Sequence, residues 1–220
     1  MTSTREHDAP HDLGHGGEPL KPDQWVARFG RTERFAHWWT VLMLAAAILT
    51  GLGMGDDARS GALLAAHVAT VVMIGVGLGG AVLFGDRRSL LSSSRQLFGF
   101  DKRDAAWLRN RVRRRPDRES EPAWGMFNTG QKVLAWALGV SVAGVIVTGV
   151  QAWSAHSEEG GPHGAAVVVT AVLLSAHVFM AVVNPATRPA LAGMVFGPVR
   201  RSWAAKHHGE WLADRDDQDS

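Results

Sequence analysis

Four of the ten histidines in this 220-residue chain, His37, His67, His163 and His177, lie in or at the ends of long stretches without Asp, Glu, Lys or Arg. An ionisable side chain in such surroundings is costly to keep and points to function. Imidazole is a good ligand for iron. Where it fills both axial positions of a haem, oxygen has nowhere to bind, and the centre is left with electron transfer. A lone histidine could instead join two helices by a hydrogen bond or relay a proton. The pattern of four favours ligation. His163 and His177 are 14 residues apart, about 21 Å along a helix and about 40° short of four whole turns. Their rings share one face, one ring toward each end. His37 starts the first apolar stretch, at the depth of His177, which lies roughly two-thirds of the way along the fourth. His67 lies about 10 Å inside the second stretch, near the depth of His163 at the start of the fourth. Depth therefore pairs His37 with His177 and His67 with His163, enough for an inner and an outer haem b stacked across a bilayer.

Such pairs need membrane-crossing elements to hold them. The mean hydropathy of −0.03 conceals them. Uncharged runs span Phe35 to Gly55, Ser60 to Gly85, Val133 to Ser157 and Gly161 to Thr187, at 21, 26, 25 and 27 residues. About 20 apolar residues cross the hydrocarbon. The expected fold is an all-α membrane protein, a four-transmembrane-helix bundle of dihaem cytochrome b type with helices at about 35–55, 60–85, 132–155 and 163–185. Residues 1–24 read as a polar N-terminal tail without a signal peptide's apolar core. Residues 25–212 read as the membrane domain and 213–220 as an acidic tail. Trp38, Trp39, Trp124 and Trp153 suit an aromatic belt. Residues 25–34 and 189–211 read as interfacial stretches. A short helix is expected around Ser89 to Phe98, with Pro116 and Pro122 breaking anything longer. Asn184-Pro185 should end the fourth span. No internal repeat is evident.

The charges set the orientation. Of the 23 Lys and Arg residues, 22 lie before the first run, between the second and third or after the fourth, and only Arg59 lies on the other side. Basic residues accumulate on cytoplasmic loops, so both termini are expected in the cytoplasm of a bacterium, with the chain in its inner membrane. The same rule accounts for the basic pI without nucleic acid, and membrane lipid is the expected neighbour. The absence of cysteine excludes disulfides, thiolate-held iron–sulfur clusters and covalently attached haem in this chain.

Gly51, Gly53, Gly75, Gly77, Gly79, Gly80, Gly144 and Gly149 would let a macrocycle or a neighbouring backbone approach closely, or simply serve helix packing. His7, His11 and His15 have helical spacing, but Pro10, Gly14, Gly16 and Gly17 argue for a solvated tail. His156 is the decoy for His163, lacking its phase with His177. His207 and His208 read as surface or partner-facing.

The segments "ERFAHWW" (33–39), "FNTGQK" (127–132) and "NPATRPALAGMVFGPVRRSWAAKHHGEW" (184–211) resemble the membrane cytochrome b, or gamma, subunit of respiratory formate dehydrogenases. The resemblance runs from about residue 25 to residue 212. It implies two b haems on four helices, with His37 and His177 on the inner iron and His67 and His163 on the outer. It implies an iron–sulfur (beta) partner, a molybdenum or tungsten catalytic (alpha) partner, and delivery of electrons to quinone. The chain itself would not oxidise formate. The family's quinone pocket maps to Asn128, Gly130, Gln131 and Lys132. Asn128 and Gln131 are neutral hydrogen-bonders suited to a quinone carbonyl, or equally to capping a helix. The departures are the longer His- and Gly-rich N-terminus and Gly209 where a proline is common. Two alternatives stay open. One is the same scaffold serving another dehydrogenase or reductase, such as a hydrogenase or a sulfur-compound reductase. The other is a haem-free anchor or small transporter with proton-relaying histidines.

Overall fold

The computed structural model describes residues 24–54, 61–113, 124–154 and 161–219. In chain order the elements are strand β1 (Trp25–Ala27), helices α1 (Arg31–Met54), α2 (Gly61–Phe84), α3 (Arg87–Phe98), α4 (Lys102–Val112), α5 (Thr129–Ser154) and α6 (Gly161–Val178), helix α7 (Pro189–Phe196), strand β2 (Pro198–Arg200), and helices α8 (Arg201–His207) and α9 (Gly209–Asp219). A π-helical turn, Phe179–Val183, prolongs α6. The histidine-rich part of the N-terminal tail, most of the oppositely facing loops with Arg59 and His156, and the prolines at 116 and 122 lie outside the described residues.

Helices α1, α2, α5 and α6 with its π turn are long and apolar enough to cross a membrane, the four-span architecture expected. Their outward side chains, including Leu52, Leu83, Phe84 and Val147, are exposed. In water that surface would cost about 25 cal/mol per Å²; in hydrocarbon it costs nothing. α1 starts at Arg31, four residues before the uncharged run, because polar partners receive its first turn: Glu33 accepts from the hydroxyls of Ser89 and, at 3.3 Å, Ser93 on α3. The fourth span ends at Asn184, whose backbone is extended ahead of Pro185.

α1 packs along α2 and α5 along α6, while the two hairpins touch each other only marginally among the described residues. α3 bridges them at the basic end, touching α1, α2 and α5. Asp86 caps α3 through the Ser89 amide at 3.0 Å. α4, which no apolar run announces, starts at a capping box between Asp101 and Asp104.

Residues 24–30 and 184–219 do not lie as separate interfacial stretches. β1 and β2 pair antiparallel, with Val26 opposite Val199. The turn before β2 uses Gly197 at φ 103°, open to glycine but strained for other residues. Its carbonyl accepts from the amides of Arg28 and Phe29 at 2.9 and 3.2 Å. Val26, Met126, Val199, Ala204, Trp211 and Leu212 form a core with Phe29, Phe127 and Trp203 against it. The acidic segment after residue 212 continues as the last turns of α9.

Candidate metal centres

The four histidines meet in two pairs, each joining one hairpin to the other. The ring centres of His37 on α1 and His177 on α6 are 6.2 Å apart, their planes at 57°. Those of His67 on α2 and His163 on α6 are 6.3 Å apart, their planes at 88°. Two imidazoles on one metal stand about 6 Å centre to centre, from a bond of about 2 Å and about 1 Å of ring on each side. Among the described residues no group of three or more His, Cys, Asp or Glu side chains gathers to hold a metal ion. Two imidazoles at that separation, with no third such side chain beside them among the described residues, fit a macrocycle that supplies the other four ligands better than they fit a bare ion.

The outer pair is fixed by the helix each ring packs against. His67 Nδ1 lies 2.9 Å from the carbonyl of Ala47 and 3.2 Å from Oγ1 of Thr50 on α1. His163 Nδ1 lies 3.1 Å from the carbonyl of Val145 and 3.4 Å from Oγ1 of Thr148 on α5. A carbonyl can only accept, so in each ring Nδ1 carries the proton and Nε2 keeps its lone pair for a metal. Gly51 and Gly149 admit the rings: a Cβ would stand 3.4 Å from Cε1 of His67 and 3.1 Å from Cε1 of His163. The partners therefore recur in sequence, as Ala47-Ile48-Leu49-Thr50-Gly51 and Val145-Ile146-Val147-Thr148-Gly149. Five residues inside apolar helices do not stand out until both are seen against a histidine.

The part of α1 that carries His37 is braced by α7. Arg34 and Trp38, on either side of His37, donate to the carbonyls of Val195 and Met194 at 3.1 and 3.0 Å, satisfying the free C-terminal end of α7. A groove of about 390 Å³ opens here, lined by Arg34, Phe35, Trp38, Trp39, Leu42 and Val195.

Asn128 and Gln131 do not line that groove. They form a reciprocal cap on α5: the Gln131 amide donates to Asn128 Oδ1 at 2.9 Å, and the Asn128 amide to Gln131 Oε1 at 3.0 Å. Both side-chain oxygens serve the helix, and the NH2 groups are the ends left for a ligand. Lys132 pairs with Asp104 at 2.7 Å, and Thr129 donates to the same carboxylate at 2.5 Å. Burial alone would raise the Asp104 pKa, but the bonds from Lys132, Thr129 and the Asp101 amide hold it below the ordinary carboxylate range.

Sequence reasoning missed the cluster that anchors this end. His208 is buried, 1% exposed, and is not on the surface as expected. Its Nδ1 donates to the Gly125 carbonyl at 2.8 Å, and its Nε2 accepts from Arg28 Nη2 at 3.3 Å. Arg28 also donates to the Met126 carbonyl at 2.6 Å and lies 5.1 Å from the ring centre of Trp203 and 5.3 Å from that of Phe29. Burial lowers its pKa to about 10. The only cue was a basic residue among aromatics, and that fits an interfacial helix equally well.

A profile of the prokaryotic cytochrome b561 family matches residues 28–197, a span that contains all four histidines. The cytochrome b556 subunit of the nitrate-inducible formate dehydrogenase of Escherichia coli K12 is 31% identical over 125 residues, 52% of this chain and 56% of that one. A second cytochrome b556 subunit of an Escherichia coli K12 formate dehydrogenase is 24% identical over 205 residues, 89% of this chain and 95% of that one. A formate dehydrogenase cytochrome b556 subunit of Haemophilus influenzae is 27% identical over 100 residues, 41% of each chain. The chain thus spans little more than half the length of the first of these relatives.

Proposed function

The chain belongs to the prokaryotic cytochrome b561 family, and from that premise we propose that it carries electrons across the membrane from an iron–sulfur subunit of a formate dehydrogenase to quinone. Family membership implies haem b, and the four apolar helices make the chain a multi-pass protein of the bacterial inner membrane. The observation that carries the reading is the two pairs of imidazoles that meet between the hairpins, at 6.2 and 6.3 Å. A haem held in each pair supplies one-electron iron chemistry. His67 and His163 hold the outer one and His37 and His177 the inner. A haem held by one histidine from each side would have no place left for oxygen, and electron transfer would be its chemistry.

Both termini are on the cytoplasmic side, supported by the basic residues gathered there. Quinone meets the chain on that side, near the inner pair, with the NH2 groups of Asn128 and Gln131 as donors to its carbonyl. Preorganised donors favour the negative charge that develops there on reduction. The names of the relatives support formate as the substrate of a partner subunit; that this partner carries molybdenum or tungsten rests on the resemblance of the sequence segments alone.

The test is purification of the chain with whatever subunits accompany it from its own membranes. Two b haems reduced by formate, with electrons passing to added quinone, are expected. Haems that formate leaves oxidised while hydrogen or another donor reduces them would assign the scaffold to a different dehydrogenase. A chain without haem would overturn the reading.

A further inference from the structure

The repeated Thr-Gly segments have a chemical consequence at the outer pair. Thr50 donates its hydroxyl hydrogen to the Ala46 carbonyl at 2.8 Å, and Thr148 donates its own to the Gly144 carbonyl at 2.7 Å. Each hydroxyl oxygen is thereby turned, lone pairs outward, toward the Nδ1–H of the facing histidine, 3.2 Å away at His67 and 3.4 Å at His163. The ring proton is shared between this oxygen and a carbonyl three residues earlier on the same helix, at 2.9 and 3.1 Å. The arrangement occurs on both sides of one centre, on two different helix hairpins.

We propose that Thr50 and Thr148 are matched positioning residues that lower the reduction potential of the outer centre. The inference rests on the reading of His67 and His163 as ligands of one haem iron. An acceptor on Nδ1–H draws that proton outward and leaves Nε2 more electron-rich. A more basic ligand favours the ferric over the ferrous state. Two such acceptors on each ring, on both axial ligands, act in the same direction and hold both rings in one tautomer. Electrons leaving this centre for the inner pair are then favoured energetically.

The experiment is redox titration of the purified complex, followed in the haem absorption bands, for Thr50→Val, Thr148→Val and the double variant. Valine keeps the shape and removes the hydroxyl. Two haems should be retained, with the outer midpoint shifted to more positive potential in each single variant, further in the double, and the inner midpoint unchanged. Thr50→Ser and Thr148→Ser, which keep the hydroxyl, should titrate like the unsubstituted protein. Unchanged midpoints in a haem-replete double variant would overturn the proposal, as would equal shifts of both haems. Should valine abolish the outer haem, retention of haem and midpoint by the serine variants supports the hydroxyl's role, and its loss there too overturns it. His67→Ala separates the underlying reading: if that variant keeps both haems, the ligand assignment itself fails.

Discussion

The indole of Trp39 lies directly against Gly77. A Cβ at residue 77 would stand 2.0 Å from Trp39 Nε1, and that nitrogen donates to the Met73 carbonyl at 2.7 Å. The contact brings α1 against α2 two residues from His37, and only a residue without a side chain allows it. Gly77→Ala is therefore expected to push the indole off α2 at a cost of about 1–3 kcal/mol, as overpacking does. Gly75→Ala, where a Cβ meets nothing within 4 Å, is the control. Thermal unfolding in detergent, followed by tryptophan fluorescence, should separate the two. Equal melting temperatures would show that the contact does not hold the hairpin.

Haem counting tests the pairing of ligands. His67→Ala or His163→Ala should remove one haem and leave the other, and His37→Ala or His177→Ala should remove the complementary one. Pyridine haemochrome assay and the reduced-minus-oxidised spectrum read this directly. Two full haems in both outer variants would break the assignment.

Asn128 joins a helix cap and a proposed quinone contact, and two substitutions separate these roles. Asn128→Ser keeps a capping oxygen and removes the NH2 group. Asn128→Leu removes both, with a cap loss of about 1 kcal/mol. If the amide donates to quinone, both variants should slow quinone reduction and weaken inhibitor binding with haem retained. Normal turnover in Asn128→Ser would leave the residue a cap and move attention to the groove beside Trp38.

His208 should make the membrane domain's basic end acid-labile. Its pKa falls from 6.5 to about 3, through burial first and then the charge of Arg28, with His207 adding in the same sense and the bond to the Gly125 carbonyl opposing. The folded state thus keeps the ring neutral while the unfolded chain takes up a proton. The stability is complete above pH 6.5 and is lost progressively toward pH 3, at roughly 1.4 kcal/mol per pH unit from this one group. Melting followed through Trp203 and Trp211 should fall between pH 6.5 and 5. His208→Gln, which cannot titrate, should flatten that dependence even if it is less stable at neutral pH. The same slope in the variant would assign the effect elsewhere.

Much of this protein was readable from its residues one by one. The length of an uncharged run, the number of turns between His163 and His177, and the depth of His37 and His67 in their own helices are all local quantities. Hydrocarbon thickness and helical rise convert them into positions without knowledge of any neighbour. What the tertiary structure alone decided are matters of contact between distant segments. Thr50 and Thr148 look like ordinary apolar-helix residues until His67 and His163 are laid against them from the next helix. Arg28 reads as an interfacial charge until His208, 180 residues later, accepts its hydrogen bond. Asp104 sits in a charged segment with no apolar pattern, and only its distant partners Thr129 and Lys132 explain its burial. A hydrogen bond or an ion pair needs two groups a few ångströms apart, and no property of either group in its own sequence neighbourhood states which other one it will meet.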